Sequence, residues 1–174
     1  MKKTLTLLLT TLLAVLPTFA NQGKLINPPY DAPEADGVDQ EGKAVKFSDL
    51  YKAHEFVVVY FYPKANTPGC TKQGCSLRDA HVDLTAMGVK VVGVSKDSVN
   101  AQKSFSDKFK FPFTLIADND AKVIQAFKVP QMLMGMAQRQ CFLIQKGKVV
   151  WHDAKASTDK QADELRAVLK DLKK

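Results

Sequence analysis

The chain has 174 residues, of which 45% are hydrophobic and 25% charged; this composition excludes extensive disorder and predicts one folded domain with a sizeable core. The formal net charge is +7, but the basic residues are spread along the chain, and no basic stretch is interleaved with aromatic residues. Nucleic-acid binding is therefore not expected, because phosphate contacts require clustered cations.

The first twenty residues have the pattern of a secretory signal peptide. Lys2 and Lys3 precede a leucine-rich run over residues 5–16, and the small residue Ala20 ends the segment. An uncleaved membrane anchor is the alternative, but it would need about 20 apolar residues, and this run is shorter. We predict a signal peptide over residues 1–20, export to the periplasm, and no stable membrane association of the mature chain. Loss of the two lysines lowers the net charge from +7 to +5.

The mature chain is predicted to form one α/β domain behind a short leader. Residues 21–36 contain three prolines and little apolar periodicity, which indicates a leader that wraps onto a domain spanning 37–174. Strands are predicted at Phe56–Phe61, Lys90–Val94, Phe113–Ala117, Cys141–Ile144 and Val149–His152, and helices at about Pro68–Met87, at Val99–Phe109 and from a Thr158 cap to about Lys173. This order predicts a central β-sheet with helices on both faces, which a thioredoxin-like arrangement satisfies.

The start of the first predicted helix carries a cysteine in an unusual position. Thr67 is a suitable N-cap residue and Pro68 a suitable first helical residue, so Cys70 falls at the third helical position. Unpaired backbone N–H groups and the positive end of the helix dipole favour an anion there. The position therefore favours the thiolate, and nearby cations (Lys64, Lys72 and Arg78) would add positive potential.

A second cysteine, Cys75, follows five residues later. On an intact helix the two Cα atoms would be about 8 to 9 Å apart, which exceeds the roughly 7 Å limit for a disulfide. A bond between them would therefore require the first turns to unwind, and Gly69 and Gly74 lower the helix propensity there. This behaviour fits a reaction cycle. The alternative is a permanent disulfide in a looped segment, which an oxidising compartment permits.

Taken together, these motifs resemble the active-site region of the peroxiredoxin Q family, also called the bacterioferritin comigratory protein family. The family signature Pro-x3-Thr-x2-Cys is met by Pro63, Thr67 and Cys70, and Leu77-Arg78-Asp79 follows. Weaker similarity covers most of residues 32–174 and includes residues 93–98, 111–113, 117–118 and 139–144. The resemblance implies a thioredoxin-like fold, with a central mixed β-sheet flanked by helices, and a monomer that reduces hydrogen peroxide or alkyl hydroperoxides.

The resemblance also implies roles for individual residues. Cys70 matches the peroxidatic cysteine that becomes a sulfenic acid, and Cys75 matches the resolving cysteine that forms an intramolecular disulfide. Thr67 matches the threonine that contacts the peroxide, Arg139 the arginine beside the thiolate, and Pro63 the proline that shields it. Gln73 stands where the family often has a residue that supports the arginine. No metal or other cofactor is required, and thioredoxin or a similar dithiol is expected to reduce the disulfide.

Some features depart from the family pattern or remain open. Cys141, one of three cysteines, stands where the family usually has Ser or Thr. We predict a buried core residue, which would compete with Cys75 only if it were close to Cys70. Alternate methionines at 132, 134 and 136 could bind Cu(I), although an apolar loop near the site, serving as a collar for an organic peroxide or a partner, is favoured. The three histidines lack metal-ligand spacing with the cysteines and are predicted to be solvent-facing or structural.

Three classes of function remain on these grounds: a peroxidase, a general thiol–disulfide oxidoreductase, and a metal-binding or structural protein. The second usually has a Cys-x-x-Cys motif, which this chain lacks. The third has little support, because two cysteines without a second pair make a poor zinc site. A peroxidase active in antioxidant defence and redox homeostasis is therefore the leading hypothesis.

Overall fold

A computed structural model describes residues 23–173; the predicted signal peptide lies outside them. The strands are β1 (Lys24–Asp31), β2 (Asp36–Val38), β3 (Ala44–Lys46), β4 (Phe56–Phe61), β5 (Val89–Ser95), β6 (Thr114–Ala117), β7 (Gln140–Gln145) and β8 (Lys148–Asp153). The helices are α1 (Phe47–Ala53), α2 (Pro68–Asp79), α3 (His81–Ala86), α4 (Val99–Phe109), α5 (Lys122–Ala126) and α6 (Gln161–Leu172). Among these residues no helix is both long and apolar enough to span a bilayer.

Six of the strands form one mixed sheet in the order β1-β8-β7-β4-β5-β6. The β4, β5 and β6 strands are parallel, whereas β7, β8 and β1 join by antiparallel pairing. Lys146 and Gly147 both have positive φ, which suits the tight turn that connects β7 to β8. The predicted mixed sheet and its closing hairpin are therefore confirmed.

Strand alternation divides the core between the two faces of the sheet. Along β4, Phe56, Val58 and Tyr60 join one cluster of buried side chains, and the intervening residues join the other. The first cluster also takes buried side chains from α2, α3, α4 and α6, and the second takes them from α1 and α5. Helices therefore cover both faces, as the continuous apolar sequence of β4 predicted.

The leader contributes an edge strand that the sequence pattern did not predict. In β1, Lys24 and Leu25 pair with β8, pairing resumes at Tyr30, and the register shifts between the two places. Pro28 and Pro29 lie in this interruption; proline lacks an N–H group and is tolerated at such irregular edge positions. The sheet therefore begins upstream of the predicted domain start at residue 37.

Two helix predictions differ from the structure. The segment predicted as one helix divides into α2 and α3 at Ala80, whose φ of −92° and ψ of 2° are not helical. The predicted Thr158 cap is wrong, because α6 starts at Gln161 with Lys160 as its N-cap. Ser157 forms a local turn instead, in which its hydroxyl accepts from the Lys160 N–H at 3.1 Å. Such turns compete with helix capping in Ser- and Asp-rich segments.

The topology brings the start of α2 and the segment before β7 to the same edge of the sheet. The α2 helix follows the carboxyl end of β4, and β7 begins at the same edge, because Phe61 pairs with Gln140 in the antiparallel register. Arg139 immediately precedes β7 and therefore lies beside the segment that leads into α2. The carboxyl edge of an open α/β sheet is the usual place for a site.

Candidate active site

The start of α2 has the predicted register. Thr67 is the N-cap residue in extended conformation, Pro68 is the first helical residue, and Cys70 is the third. The first helical hydrogen bond runs from the Thr71 N–H to the Thr67 carbonyl at 2.9 Å. The Thr67 hydroxyl does not cap the helix, however; it donates to the Lys64 carbonyl at 2.9 Å. The amides of the first turn therefore keep their positive potential near the sulfur.

Arg139 supplies the cation next to the cysteine. Its Nη2 donates to Cys70 Sγ at 3.3 Å, across 69 residues of sequence. The Cys70 residue is only 2% exposed, so this donor acts away from bulk water. Gly69 allows the close approach, because a Cβ at this position would lie 3.3 Å from Arg139 Nη2. Arg139 and Cys70, which the sequence predicted to be neighbours, are therefore in contact.

Two buried glutamines extend this contact to α6. Arg139 Nη1 donates to Gln73 Oε1 at 2.5 Å, which agrees with the supporting role predicted for Gln73. In turn Gln73 Nε2 donates to Gln161 Oε1 at 3.1 Å, and both glutamines are fully buried. The sequence pattern did not identify Gln161. A buried polar residue on the otherwise apolar face of α6 was the available signal.

A second network, also missed, holds the loop between β4 and α2. The Asp97 carboxylate accepts from the Ala65 N–H at 2.8 Å and from the Ser95 hydroxyl at 2.6 Å. Gln102 donates to the same Ser95 hydroxyl at 2.8 Å and accepts from the Tyr62 hydroxyl. These bonds tie the loop that contains Pro63 and Thr67 to β5 and α4, and they hold the segment that enters the helix in place.

Cys75 lies on an intact helix, and its thiol is free. Both Cys70 and Cys75 are unpaired, and α2 is continuous from Pro68 to Asp79, as expected for the wound form. Cys75 is partly exposed, whereas Cys70 is buried. Gly74 has a packing role beyond its low helix propensity: a Cβ there would meet the Phe111 ring at 2.6 Å.

Cys141 is a core residue, as predicted. It is fully buried and shares one cluster with Leu143. Burial raises the pKa of its thiol well above the ordinary value, and the carboxylates of Asp153 and Glu164 raise it further. A thiol that stays protonated is a poor nucleophile, so the environment of Cys141 does not favour reaction.

Two of the other cations predicted to support the thiolate, Lys72 and Arg78, have different partners. Lys72 Nζ lies 3.9 Å from Asp159 Oδ2, and both side chains are largely exposed. Arg78 binds Asp79 at 2.7 Å and donates to the Phe109 carbonyl at 2.9 Å. Its hydrogen bond to Asp79 raises the pKa of Arg78, and the neighbouring Cys75 contributes in the same direction. Arg139 is therefore the cation that contacts Cys70.

Three methionines form a turn at the same edge of the sheet. Met132 N–H donates to the Met136 carbonyl at 2.7 Å, and Met134 lies at the tip with a positive φ of 61°. Met134 and Leu133 are each 86% exposed. Within residues 23–173 no three His, Cys, Asp or Glu side chains form a group able to hold a metal ion. Copper binding by the thioethers, and a collar function of the loop, remain hypotheses.

The histidines have structural environments. His152 stacks on Phe142 with ring centroids 4.1 Å apart, and its Nε2 lies 2.9 Å from Gln140 Oε1. His81 and His54 are partly exposed. These contacts agree with the prediction that the three residues are solvent-facing or structural.

The fold and the site together define a thiol-dependent peroxidase: a thioredoxin-like sheet, a buried cysteine in the first turn of a helix, and an arginine bonded to its sulfur. Comparison with known proteins gives the same class. Residues 29–152 match the AhpC/TSA family. The chain is 41% identical over 138 residues to the chloroplastic peroxiredoxin Q of Sedum lineare, an alignment covering 78% of this chain and 73% of that one.

Two further comparisons support a specific branch of the family. Chloroplastic peroxiredoxin Q from rice (Oryza sativa subsp. japonica) is 38% identical over 142 residues, an alignment that covers 79% of this chain and 64% of that protein. Structures of the bacterioferritin comigratory protein of Xanthomonas campestris superpose with a TM-score of 0.72 at 30% identity, covering 87% and 98% of the two chains. The chain belongs to the AhpC/TSA family, within its peroxiredoxin Q group.

Proposed function

We propose that Cys70 is the peroxidatic residue and that its thiolate attacks the terminal oxygen of a hydroperoxide. The O–O bond breaks, one oxygen stays on sulfur as a sulfenic acid, and the other leaves as water or an alcohol after it takes a proton. The hydrogen bond from Arg139 to the sulfur carries this proposal. A fixed cation stabilises the thiolate and the negative charge that develops on the leaving oxygen.

Thr67 and Pro63 have supporting roles in this proposal. The Thr67 hydroxyl already donates its proton to the Lys64 carbonyl, so its oxygen is free to accept from a hydroperoxide O–H group. This acceptor, together with Arg139 as donor, would hold the peroxide in line with the sulfur. Pro63 is partly buried in the same loop, where its ring would shield the sulfur from water.

Cys75 resolves the sulfenic acid in the second step. Its thiol attacks the Cys70 sulfur, a disulfide forms, and the sulfenic oxygen leaves as water. The two cysteines are five residues apart on a wound helix, so the first turns of α2 must open to bring them within bonding distance. Cys141 is a weaker candidate because burial keeps its thiol protonated.

An external dithiol completes the cycle by reducing the Cys70–Cys75 disulfide. A thiolate of the donor attacks one sulfur, and its second thiol then releases the peroxidase, so two thiols are oxidised for each peroxide reduced. Thioredoxin or a thioredoxin-like protein fits this chemistry.

Hydrogen peroxide and alkyl hydroperoxides are the proposed substrates; the bacterioferritin comigratory protein of Xanthomonas campestris has alkyl peroxide reduction activity. Such a cycle serves antioxidant defence, and we propose a monomeric enzyme, which sedimentation of the reduced protein tests.

Thiol counting tests this cycle. Reduced protein contains three cysteine thiols, and one equivalent of hydrogen peroxide should leave one in the wild type. Cys75→Ser should lose only one thiol and give a sulfenic acid that a dimedone probe traps at Cys70. Cys141→Ser is the matched control and should still lose two thiols. A wild-type count that stays at three would reject the proposed activity.

Export to the periplasm is proposed from the signal-peptide pattern of residues 1–20. The plant relatives are described as chloroplastic, so targeted members of this group occur. Expression of the full chain with its native N-terminus should release a periplasmic form that begins at Asn21, which intact-mass measurement detects as a loss of residues 1–20. Recovery of the uncleaved chain in the membrane fraction would contradict this proposal.

A further inference from the structure

The helix that carries both reactive cysteines is tied to the start of α6 by three hydrogen bonds. The buried bond joins Gln73 Nε2 to Gln161 Oε1 at 3.1 Å. The other two involve Ser76, whose hydroxyl donates to the Asp159 carbonyl and accepts from the Ala162 N–H, each at 3.4 Å. We call Asp159, Gln161 and Ala162 the α6 anchor. Gln73 lies between the two cysteines in sequence, and Ser76 directly follows the second.

The orientation of the buried amides follows from the chemistry of arginine. A guanidinium only donates hydrogen bonds, so Arg139 requires the oxygen of Gln73 on its side. The Gln73 amide nitrogen must then point away from Arg139 and needs an acceptor, which Gln161 Oε1 provides. The amide nitrogen of Gln161 has no hydrogen-bond partner among the described residues. Gln161 therefore acts in this network only through its oxygen, as the acceptor for Gln73. Gln161 thereby fixes the orientation of the Gln73 amide, and Gln73 in turn holds the Arg139 guanidinium beside the Cys70 sulfur.

The same bond opposes the second step of the cycle. Disulfide formation requires residues 70–75 to leave the wound helix, and this movement carries Gln73 away from Gln161. Cys75 must also move toward Cys70, and Ser76, the next residue in the chain, moves with it and loosens its bonds to the α6 anchor. A stronger anchor therefore holds α2 wound for longer, which prolongs the life of the sulfenic acid. A second hydroperoxide can then oxidise it to a sulfinic acid, with transfer of one oxygen and release of water or an alcohol.

From these contacts we infer that Gln161 is a positioning residue with opposite effects on the two steps. It accelerates peroxide attack by holding Arg139 beside Cys70, and it slows resolution by Cys75 because it holds α2 wound. Ser76 acts on the second step alone, since its bonds do not reach Arg139. The inference rests on the proposed function and adds a determinant of resistance to over-oxidation, located on a helix far away in sequence.

Two variants separate these effects. Gln161→Met keeps the size of the side chain but removes the acceptor, so we expect peroxide attack to slow about fivefold and disulfide formation to accelerate about fivefold, the effect of one net hydrogen bond. Ser76→Ala should accelerate disulfide formation only. Rapid mixing with peroxide measures the first rate, acid-quenched thiol counts measure the second, and mass spectrometry measures sulfinic acid, which both variants should form less.

Controls distinguish this mechanism from general destabilisation. Ser104→Ala removes an exposed serine from α4 and should leave both rates at the wild-type value. Gln161→Glu keeps an acceptor oxygen, and a carboxylate accepts more strongly than an amide, so the ratio of the two rates should return from its Gln161→Met value to the wild-type value or beyond it. Equal slowing of both steps in Gln161→Met, or unchanged rates in folded Gln161→Met and Ser76→Ala, would overturn the inference. Those outcomes leave the proposed function intact as long as the wild type loses two thiols with one equivalent of peroxide.

Discussion

Replacement of Cys70 by serine is expected to lower the rate of peroxide consumption by roughly three orders of magnitude or more. Serine has nearly the same shape, so the fold of this buried position should survive. Its hydroxyl does not ionise at neutral pH, however, and an unionised oxygen is a poor nucleophile toward another oxygen. Consumption of hydrogen peroxide in the presence of a dithiol donor measures the loss.

Cys141→Ser provides the matched control for Cys70→Ser. Both positions are buried and lie in the same cluster, so a loss of activity caused by a polar hydroxyl in the core would appear in both variants. We expect a loss of activity only in Cys70→Ser. Near-normal turnover by Cys70→Ser, combined with loss of turnover in Cys141→Ser, would show that the wrong sulfur has been assigned.

The local pattern was sufficient to predict much of the fold. The bounds of β4 and α4 agree with the prediction at both ends, because one is a continuous apolar run and the other an amphipathic segment with Ser98 as a true cap. The register at the start of α2 was also predictable, since threonine and proline have strong positional preferences at helix N-termini. These signals are contained within a few residues.

The elements that were missed lack the local sequence signals by which the others were predicted. The β1 strand is largely exposed and interrupted by prolines, and it is defined by pairing with β8. The α5 helix has only five residues, and its first turn is held by the carboxylate of the preceding Asp118, which accepts from the Val123 and Ile124 N–H groups. The break between α2 and α3 falls at an alanine that is buried in the core, and no sequence signal marks it.

The site residues also fall into a group that the sequence predicted and a group that it did not. Cys70, Thr67 and Pro63 lie within eight residues, and a family motif identifies them together with Arg139. Gln161 is 88 residues from its partner Gln73, and Asp97 is 32 residues from Ala65. Asp97 carries no local signal, and a polar residue on an otherwise apolar helix face is a weak signal for Gln161, because such residues have many ordinary roles. The residues proposed to perform the chemistry could be predicted, as could Gln73 beside Arg139. Gln161 and Asp97 were found only in the fold.

Replacement of Arg139 by methionine is expected to lower the rate of peroxide attack by about 10²-fold. Methionine fills much of the same space, but it removes both the donor to Cys70 Sγ and the donor to Gln73. The thiolate then loses its fixed cation, and the leaving oxygen loses the charge that stabilises it. A single-turnover measurement of the peroxide reaction with reduced protein gives the rate directly.

Arg139→Lys tests whether charge alone accounts for the effect. A lysine ammonium is a compact charge without the planar fork of donors, so it cannot reproduce the two contacts made by separate guanidinium nitrogens, to the sulfur and to Gln73. We expect partial recovery, to a rate between those of Arg139→Met and the wild type. Full recovery would show that only the charge at the sulfur matters, and the link through Gln73 to α6 would then have no part in peroxide attack. An unchanged rate in Arg139→Met would remove Arg139 from the mechanism.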